Sequence, residues 1–120
     1  MILVDTSVWI DHLRLGNARL AELLEAGQVA SHPFVVGELA CGTLRQRTVV
    51  LELLAKLPAT TAATNGEALA FIEARRLMGR GLGFVDVHLL ASAVLDDAQL
   101  WSLDKRLDQA AHALGIAPKA

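Results

Sequence analysis

Ile2-Leu3-Val4-Asp5-Thr6-Ser7-Val8-Trp9-Ile10 is the stretch whose reading decides the fold. Its first three residues are a short continuous apolar run, the pattern of a strand buried on both faces. Asp5 closes that run, and Thr6 and Ser7 offer N-cap oxygens for a helix carrying Val8, Trp9, Ile10 and Leu13. In an α/β sheet, active groups gather outside the carboxyl ends of parallel strands, so an acid at this junction stands where a site would form.

The rest of the chain repeats the alternation with neither a linker nor an internal repeat. Asn17 is placed to cap a helix bearing Leu20, Leu23 and Leu24 that Gly27 stops, and residues 28–31 read as a weak strand. Pro33 suits the first turn of a helix that runs through Glu38 to about Cys41, with Gly42 as its stop. An amphipathic helix is expected from Leu44 to Leu57 and ends at Pro58. Thr64 and Glu67 have capping-box spacing and open a helix with Leu69, Phe71, Ile72, Leu77 and Met78, ended by Gly79. A glycine-rich loop, Gly79-Arg80-Gly81-Leu82-Gly83, precedes a helix over Val85–Leu95, a strand over Leu100–Leu103 and a last helix over Lys105–Leu114. Strand runs separated by helical segments predict parallel pairing, right-handed crossovers and helices on both faces of the sheet.

Composition bounds the function. With 53% hydrophobic and 20% charged residues, the 120-residue chain is expected to fold as one compact domain. No apolar run reaches the roughly 20 residues that span a bilayer. The opening Met-Ile-Leu-Val-Asp lacks the basic lead-in of a signal peptide, so the expected location is the cytoplasm, with no membrane partner. The one cysteine, Cys41, excludes an internal disulfide and fits a reducing compartment.

Asp5, Glu38, Asp86 and Asp104 are the candidate chemistry. Formal net charge is −2, yet with these four set aside the thirteen acids become nine against eleven basic residues, a mildly basic body around an acidic pit. Magnesium and manganese prefer hard oxygen ligands and keep several waters, so a few convergent carboxylates suffice to hold them. Such a metal polarises a phosphoryl group and orients an in-line attack on a phosphodiester. Asp5 is the best placed to bridge, because a strand end holds it rigidly, and Asp86 falls in a first helical turn whose dipole favours an anion. Glu38 lies inside Phe34-Val35-Val36-Gly37-Glu38-Leu39-Ala40, and its expected burial without a partner would cost several kcal/mol unless a cation joins it. Asp5, Asp86 and Asp104 also read as ordinary helix caps or first-turn acids.

Lined up in order, these segments resemble the PIN-domain nucleases, and within them the VapC-like toxins of bacterial type II toxin-antitoxin pairs. The resemblance runs from Met1 to about Gly115 and implies one PIN domain over residues 1–120. It is carried by the opening stretch, by Pro33-Phe34-Val35-Val36-Gly37-Glu38-Leu39-Ala40-Cys41-Gly42, by Gly83-Phe84-Val85-Asp86-Val87-His88-Leu89-Leu90-Ala91-Ser92-Ala93 and by Leu100-Trp101-Ser102-Leu103-Asp104-Lys105-Arg106-Leu107. It implies a three-layer α/β/α sandwich with a central, mainly parallel sheet. Its further implication is a metal-dependent endoribonuclease toxin with Asp5, Glu38, Asp86 and Asp104 as catalytic acids around Mg²⁺ (or Mn²⁺), supported by a hydroxyl from Thr6 or Ser7. It also implies a cognate VapB-like antitoxin whose tail fills the acidic groove, an RNA substrate and a homodimer. Ser102 and Leu107 stand where many relatives carry Thr and Phe, and neither change removes a ligand.

The rival readings are a catalytically inactive PIN-fold module that binds RNA or protein, a housekeeping PIN nuclease without an antitoxin, and a phosphotransferase using Asp5 as nucleophile. The last wants a second acid two residues on, where this chain has Ser7. Among the basic residues Arg45, Arg47, Arg75, Arg76, Arg80, Lys105 and Arg106, Arg80 is the first choice for an RNA contact because it sits in the glycine-rich loop. That loop has neither the spacing nor the Lys of a P-loop. His12, His32, His88 and His112 share no ligand spacing, Trp9 and Trp101 are expected in the core, and Asp96, Asp97 and Asp108 read as solvated helix or turn acids.

Overall fold

Strand β1 (Ile2–Val4) lies at the centre of a three-stranded parallel sheet, flanked by β2 (Val29–Ala30) and β3 (Gln99–Trp101). The computed structural model describes residues 1–119. Leu3 and Val4 are fully buried, as the unbroken apolar run requires, and pair in register with Leu100 and Trp101 of β3.

Among the described residues, seven helices connect and cover the sheet: α1 (Thr6–Leu15), α2 (Ala18–Glu25), α3 (Pro33–Cys41), α4 (Arg47–Lys56), α5 (Asn65–Arg75), α6 (Phe84–Leu95) and α7 (Lys105–Ala113). A single parallel bridge between Ser31 and Ala59 extends the sheet outside β2, and the Leu100 N–H donates to Ile116 O outside β3. The chain therefore steps outward from β1 through α1–α4, returns across the sheet through α5 and α6, and steps outward the other way through α7. With right-handed crossovers, that reversal puts α1–α4 on one face and α5–α7 on the other. The principal helix contacts divide the same way, α1 with α2 and α3, α3 with α4, and α5 with α6. This is the expected α/β/α sandwich.

Helix termini follow local chemistry. Asn17 accepts from the Leu20 N–H at 3.0 Å, Thr64 and Glu67 form the reciprocal capping box, and Pro33 occupies the first turn of α3. Four boundaries differ from expectation. Asp5 itself caps α1, so Thr6 and Ser7 are its first helical residues. Helix α4 starts at Arg47 rather than Leu44, because Gln46 adopts φ 51° and the Arg47 guanidinium turns back to Ala40 O and Gly42 O at the end of α3. Helix α5 ends at Arg75, where Arg76 takes the left-handed conformation and the Leu77 N–H closes onto Ile72 O at 3.0 Å. Strand β3 ends at Trp101, so Ser102 and Leu103 belong to the turn that delivers Asp104.

Trp9, Leu20, Leu54, Leu89, Leu90, Leu100 and Leu107 anchor the core, and Trp101 is buried beside them. Helix α6 is buried continuously from Val87 to Ala93, which suits its near-unbroken apolar sequence. No described helix is long and apolar enough to cross a membrane.

Candidate functional site

The sheet order β2-β1-β3 reverses direction between β1 and β3, and a crevice opens outside the carboxyl ends of two strands at such a switch. Asp5 follows β1 directly and Asp104 follows β3 by three residues. The Asp5 N–H donates to Trp101 O at 2.9 Å, which ties the two strand ends together.

Asp5 is 7% exposed, and its Oδ2 is held by three donors: the Ser7 hydroxyl at 2.6 Å, the Ser102 hydroxyl at 2.8 Å and the Ser7 N–H at 3.4 Å. Both hydroxyls also accept, Ser7 Oγ from the Leu103 N–H and Ser102 Oγ from the Asp104 N–H, each at 2.9 Å. A buried carboxylate is thus satisfied on one oxygen and fixed in direction by two strand ends. Ser102 was not singled out for this role by its sequence context. The available signal is a hydroxyl two residues before a strand-end acid.

Glu38 reaches the same region from α3, where Thr6 Oγ1 donates to its Oε1 at 2.7 Å. Contrary to expectation it is exposed. Helix α3 buries only Val35 and Leu39 completely, a one-turn stripe, and turns Phe34 and Glu38 outward in spite of the surrounding apolar sequence. The desolvation argument for a cation at Glu38 therefore fails.

Asp86 is half-buried in the first turn of α6, and its Oδ2 accepts from the Gly83 N–H at 2.9 Å. Its pKa is raised above the usual carboxylate value, first by burial, against which the Gly83 hydrogen bond works, and further by the charges of Asp5, Asp104 and Glu38. Asp104 is exposed and caps α7, its Oδ1 accepting from the Arg106 and Leu107 N–H groups at 3.0 and 3.1 Å.

The four acids consequently share one electrostatic field. They do not form a ready-made cage: among the described residues no three Asp, Glu, His or Cys side chains stand close enough to enclose an ion. The only ion pair among the described residues is His112 with Asp108, so no Lys or Arg there neutralises any of the four. Unpaired carboxylates that repel one another match a hard divalent cation held through one or two of them and completed by water, the usual manner for Mg²⁺.

The four histidines are occupied elsewhere. His12 Nδ1 accepts from the Asn17 N–H, and His32 caps α3 through Nδ1 while its Nε2 meets Ser92 Oγ at 3.1 Å. His88 Nε2 lies 2.9 Å from Asn65 Oδ1. Asp96 accepts from the Thr61 N–H, and Asp97 sits in a turn at φ 52°.

Of the basic residues, Arg47 is spent on capping α3 and Arg75 lies over the Phe71 ring. Arg80 and Arg106 line a hollow of about 280 Å³ with Gln109 and Ala110. Gly81, at φ +75°, lets the Arg106 side chain pass so closely that an added Cβ would fall 2.5 Å from its guanidinium. A larger groove of about 560 Å³ lies between α1 and the end of α3, lined by Ile10, Leu13, Leu39 and Leu44 and flanked by Arg14 and Arg45. Of the four acids only Glu38 reaches it.

A parallel α/β sandwich with acids from four separate segments at its switch point defines a class, and comparison with known proteins gives the family. The PIN domain profile matches residues 2–113, and the chain belongs to the PIN-domain family. It is similar to Ribonuclease VapC32 of Mycobacterium tuberculosis, with 52% identity over 118 residues covering 98% of this chain and 95% of that one. Ribonuclease VapC19 of the same organism is 33% identical over 115 residues, covering 88% of this chain and 90% of that protein. Two crystal structures share the fold. Mycobacterium tuberculosis VapC20, described as a sarcin-ricin loop cleaving toxin, superposes with a TM-score of 0.66 at 22% identity, over 98% of this chain and 97% of that one. PAE2754 from Pyrobaculum aerophilum gives 0.62 at 16% identity, over 91% and 83%.

Proposed function

We propose that this chain is the toxin of a type II toxin-antitoxin pair, a metal-dependent endoribonuclease built as one PIN domain that uses Asp5, Glu38, Asp86 and Asp104. The observation that carries the reading is that Asp5 and Asp104 follow the carboxyl ends of the adjacent parallel strands β1 and β3 and are tied together through Ser7 and Ser102, with no Lys or Arg among the described residues paired to any of the four acids. The near-full-length similarity to named VapC ribonucleases supports it. A bound Mg²⁺, or Mn²⁺, would polarise the phosphodiester and supply the activated water.

The chain's own residues prepare for that chemistry. Ser7 and Ser102 hold Asp5 in one orientation, Thr6 does the same for Glu38, and the Gly83 N–H fixes Asp86. Arg106 follows Asp104 by two residues and shares a hollow with Arg80, where the two can receive an RNA phosphate. The reading carries with it a cytoplasmic protein, acting as a homodimer.

Asp5→Asn keeps the shape of the side chain and its hydrogen bonds but removes an anionic ligand. Purified Asp5→Asn protein should fold normally and lose RNA cleavage and growth inhibition. Chelator should stop wild-type cleavage, Mg²⁺ or Mn²⁺ should restore it, and Ca²⁺ should support it poorly because its looser shell positions water badly. Full cleavage by the Asp5→Asn protein removes Asp5 from the site, and chelator-resistant cleavage removes the metal mechanism.

The antitoxin segment is proposed to present an Arg or Lys to the acids, since a guanidinium pairs bidentately with carboxylates. Glu38 is exposed at the end of the apolar groove, the natural entrance for such a segment. Titration of the antitoxin against Glu38→Gln should show weaker binding than against wild type. Equal affinity would place the inhibitory contact elsewhere.

The capping bonds that Asp5, Asp86 and Asp104 make favour one second reading, a PIN-fold module that binds RNA without cutting it. The chelator experiment separates the two.

A further inference from the structure

Aromatic rings are scarce in this chain: three Phe, two Trp and no Tyr. Both Trp are buried and Phe71 is half-buried, which leaves Phe34 and Phe84 as the exposed rings, at 39% and 44%. These two come from different segments and meet at one point. Phe34 packs on the His88 imidazole with centroids 4.9 Å apart, and Phe84 packs on the same imidazole at 4.6 Å. His32 closes on Phe34 at 5.2 Å. All three contacts are edge-to-face, at 62° to 83°, so none consumes a ring by parallel stacking.

Their placement is tied to the acids. Phe34 lies four residues before Glu38, one turn away on the same side of α3, and Phe84 opens the turn of α6 that carries Asp86. The support is rigid: His88 is 2% exposed and anchored to Asn65, and His32 is fully buried and anchored to Ser92. Exposed rings on rigid backing beside a phosphodiester site suit unstacked bases, whose π-faces stack on aromatic side chains.

We infer that Phe34 and Phe84 are the base-stacking residues of the site, holding an unpaired nucleobase next to the phosphodiester that is cut. The inference rests on the nuclease reading above. A ring that served only as an apolar lid over His88 could be replaced by any large aliphatic side chain, whereas a stacking ring could not.

The test pairs Phe34→Leu and Phe84→Leu, which keep apolar cover, with Phe34→Tyr and Phe84→Tyr, which keep the ring. Short unstructured RNA oligonucleotides carrying one 2-aminopurine are titrated into the Asp5→Asn protein with and without each change, and cleavage of the same RNA is followed in the otherwise wild-type protein. Stacking quenches 2-aminopurine. The expected result is a quench that each Leu change reduces and each Tyr change preserves, with KM for the RNA raised roughly tenfold per ring lost, the scale of base–aromatic stacking, while kcat changes less. A Leu variant that fails to fold in a thermal melt is replaced by Phe→Met at the same position.

Leu variants that bind and cleave like an active wild type overturn the inference and leave the nuclease reading standing. Light scattering in which the Leu variants alone lose a dimer overturns it too and assigns the patch to self-association. Wild-type protein that neither binds nor cuts RNA overturns both readings.

Discussion

His32 shows how a residue close to the site in sequence can be wholly structural. Burial, and then the neighbouring His88, push its pKa from 6.5 down to about 4, so it is neutral in the folded protein. Its neutral form is also the one its contacts require, since Nδ1 accepts from the Phe34 N–H. The unfolded chain binds a proton at this position between pH 6.5 and about 4 and the folded chain does not, so stability is lost as pH falls through that window. One such group contributes at most about 1.4 kcal/mol per pH unit. Thermal melts from pH 7 to about 4 should fall more steeply for wild type than for His32→Asn, whose side chain can still cap α3. Parallel curves would show that His32 titrates normally. The contrast with Asp5 lies in the partners: a histidine meeting one donor and one hydroxyl is satisfied, whereas Asp5 is held on one oxygen and pairs with no Lys or Arg among the described residues.

At the scale of elements, what could be read from the sequence was what neighbouring residues decide. Asn17, Pro33 and the Thr64–Glu67 box mark helix starts because the groups they satisfy lie within three residues of them. Misread boundaries depended on distant groups or on unmarked backbone. The end of α5 falls on Arg76 in the left-handed conformation, where no glycine advertises it, and the end of β3 is set by Ser7 and Asp5, almost a hundred residues away in sequence. The exposure of Glu38 was hidden because an apolar segment shows its composition and not which side of the helix packs. Asp104 combines two roles that substitutions can separate. It caps α7 through two backbone N–H groups, and Asn serves that purpose almost as well as Asp whereas Ala does not. Asp104→Ala should melt lower by about 1 kcal/mol and lose cleavage, whereas Asp104→Asn should melt near wild type and lose cleavage alike. If Asp104→Asn cuts RNA at the wild-type rate, Asp104 is a cap and nothing more.

Across the whole molecule, the four acids come from positions spread over about a hundred residues, and Asp5 and Asp104 stand at neighbouring strand ends because the chain reverses direction about β1. That assembly could be anticipated, since parallel sheets gather groups at a switch point, but the distances within it could not. The arrangement has a cost to folding. Asp86 is both partly desolvated and repelled by Asp5, Asp104 and Glu38, so its folded pKa lies above the unfolded value and its charged form opposes folding at neutral pH. Asp86→Asn can keep the Gly83 hydrogen bond while removing the charge, and in metal-free buffer at pH 7 it should melt higher than wild type by about 1 kcal/mol. The gain should shrink as pH falls toward the carboxylate range, where wild-type Asp86 takes up its proton. Magnesium should act unequally on the two proteins. A cation that binds the native state raises its stability, by about 2.7 kcal/mol at a hundred times its dissociation constant, so Mg²⁺ should raise the wild-type Tm and raise that of Asp86→Asn much less. The two melting curves should therefore approach or cross as Mg²⁺ is added. If Asp86→Asn is less stable than wild type without metal and neither protein responds to Mg²⁺, the acids are structural caps, and the non-cutting RNA-binding reading replaces the nuclease.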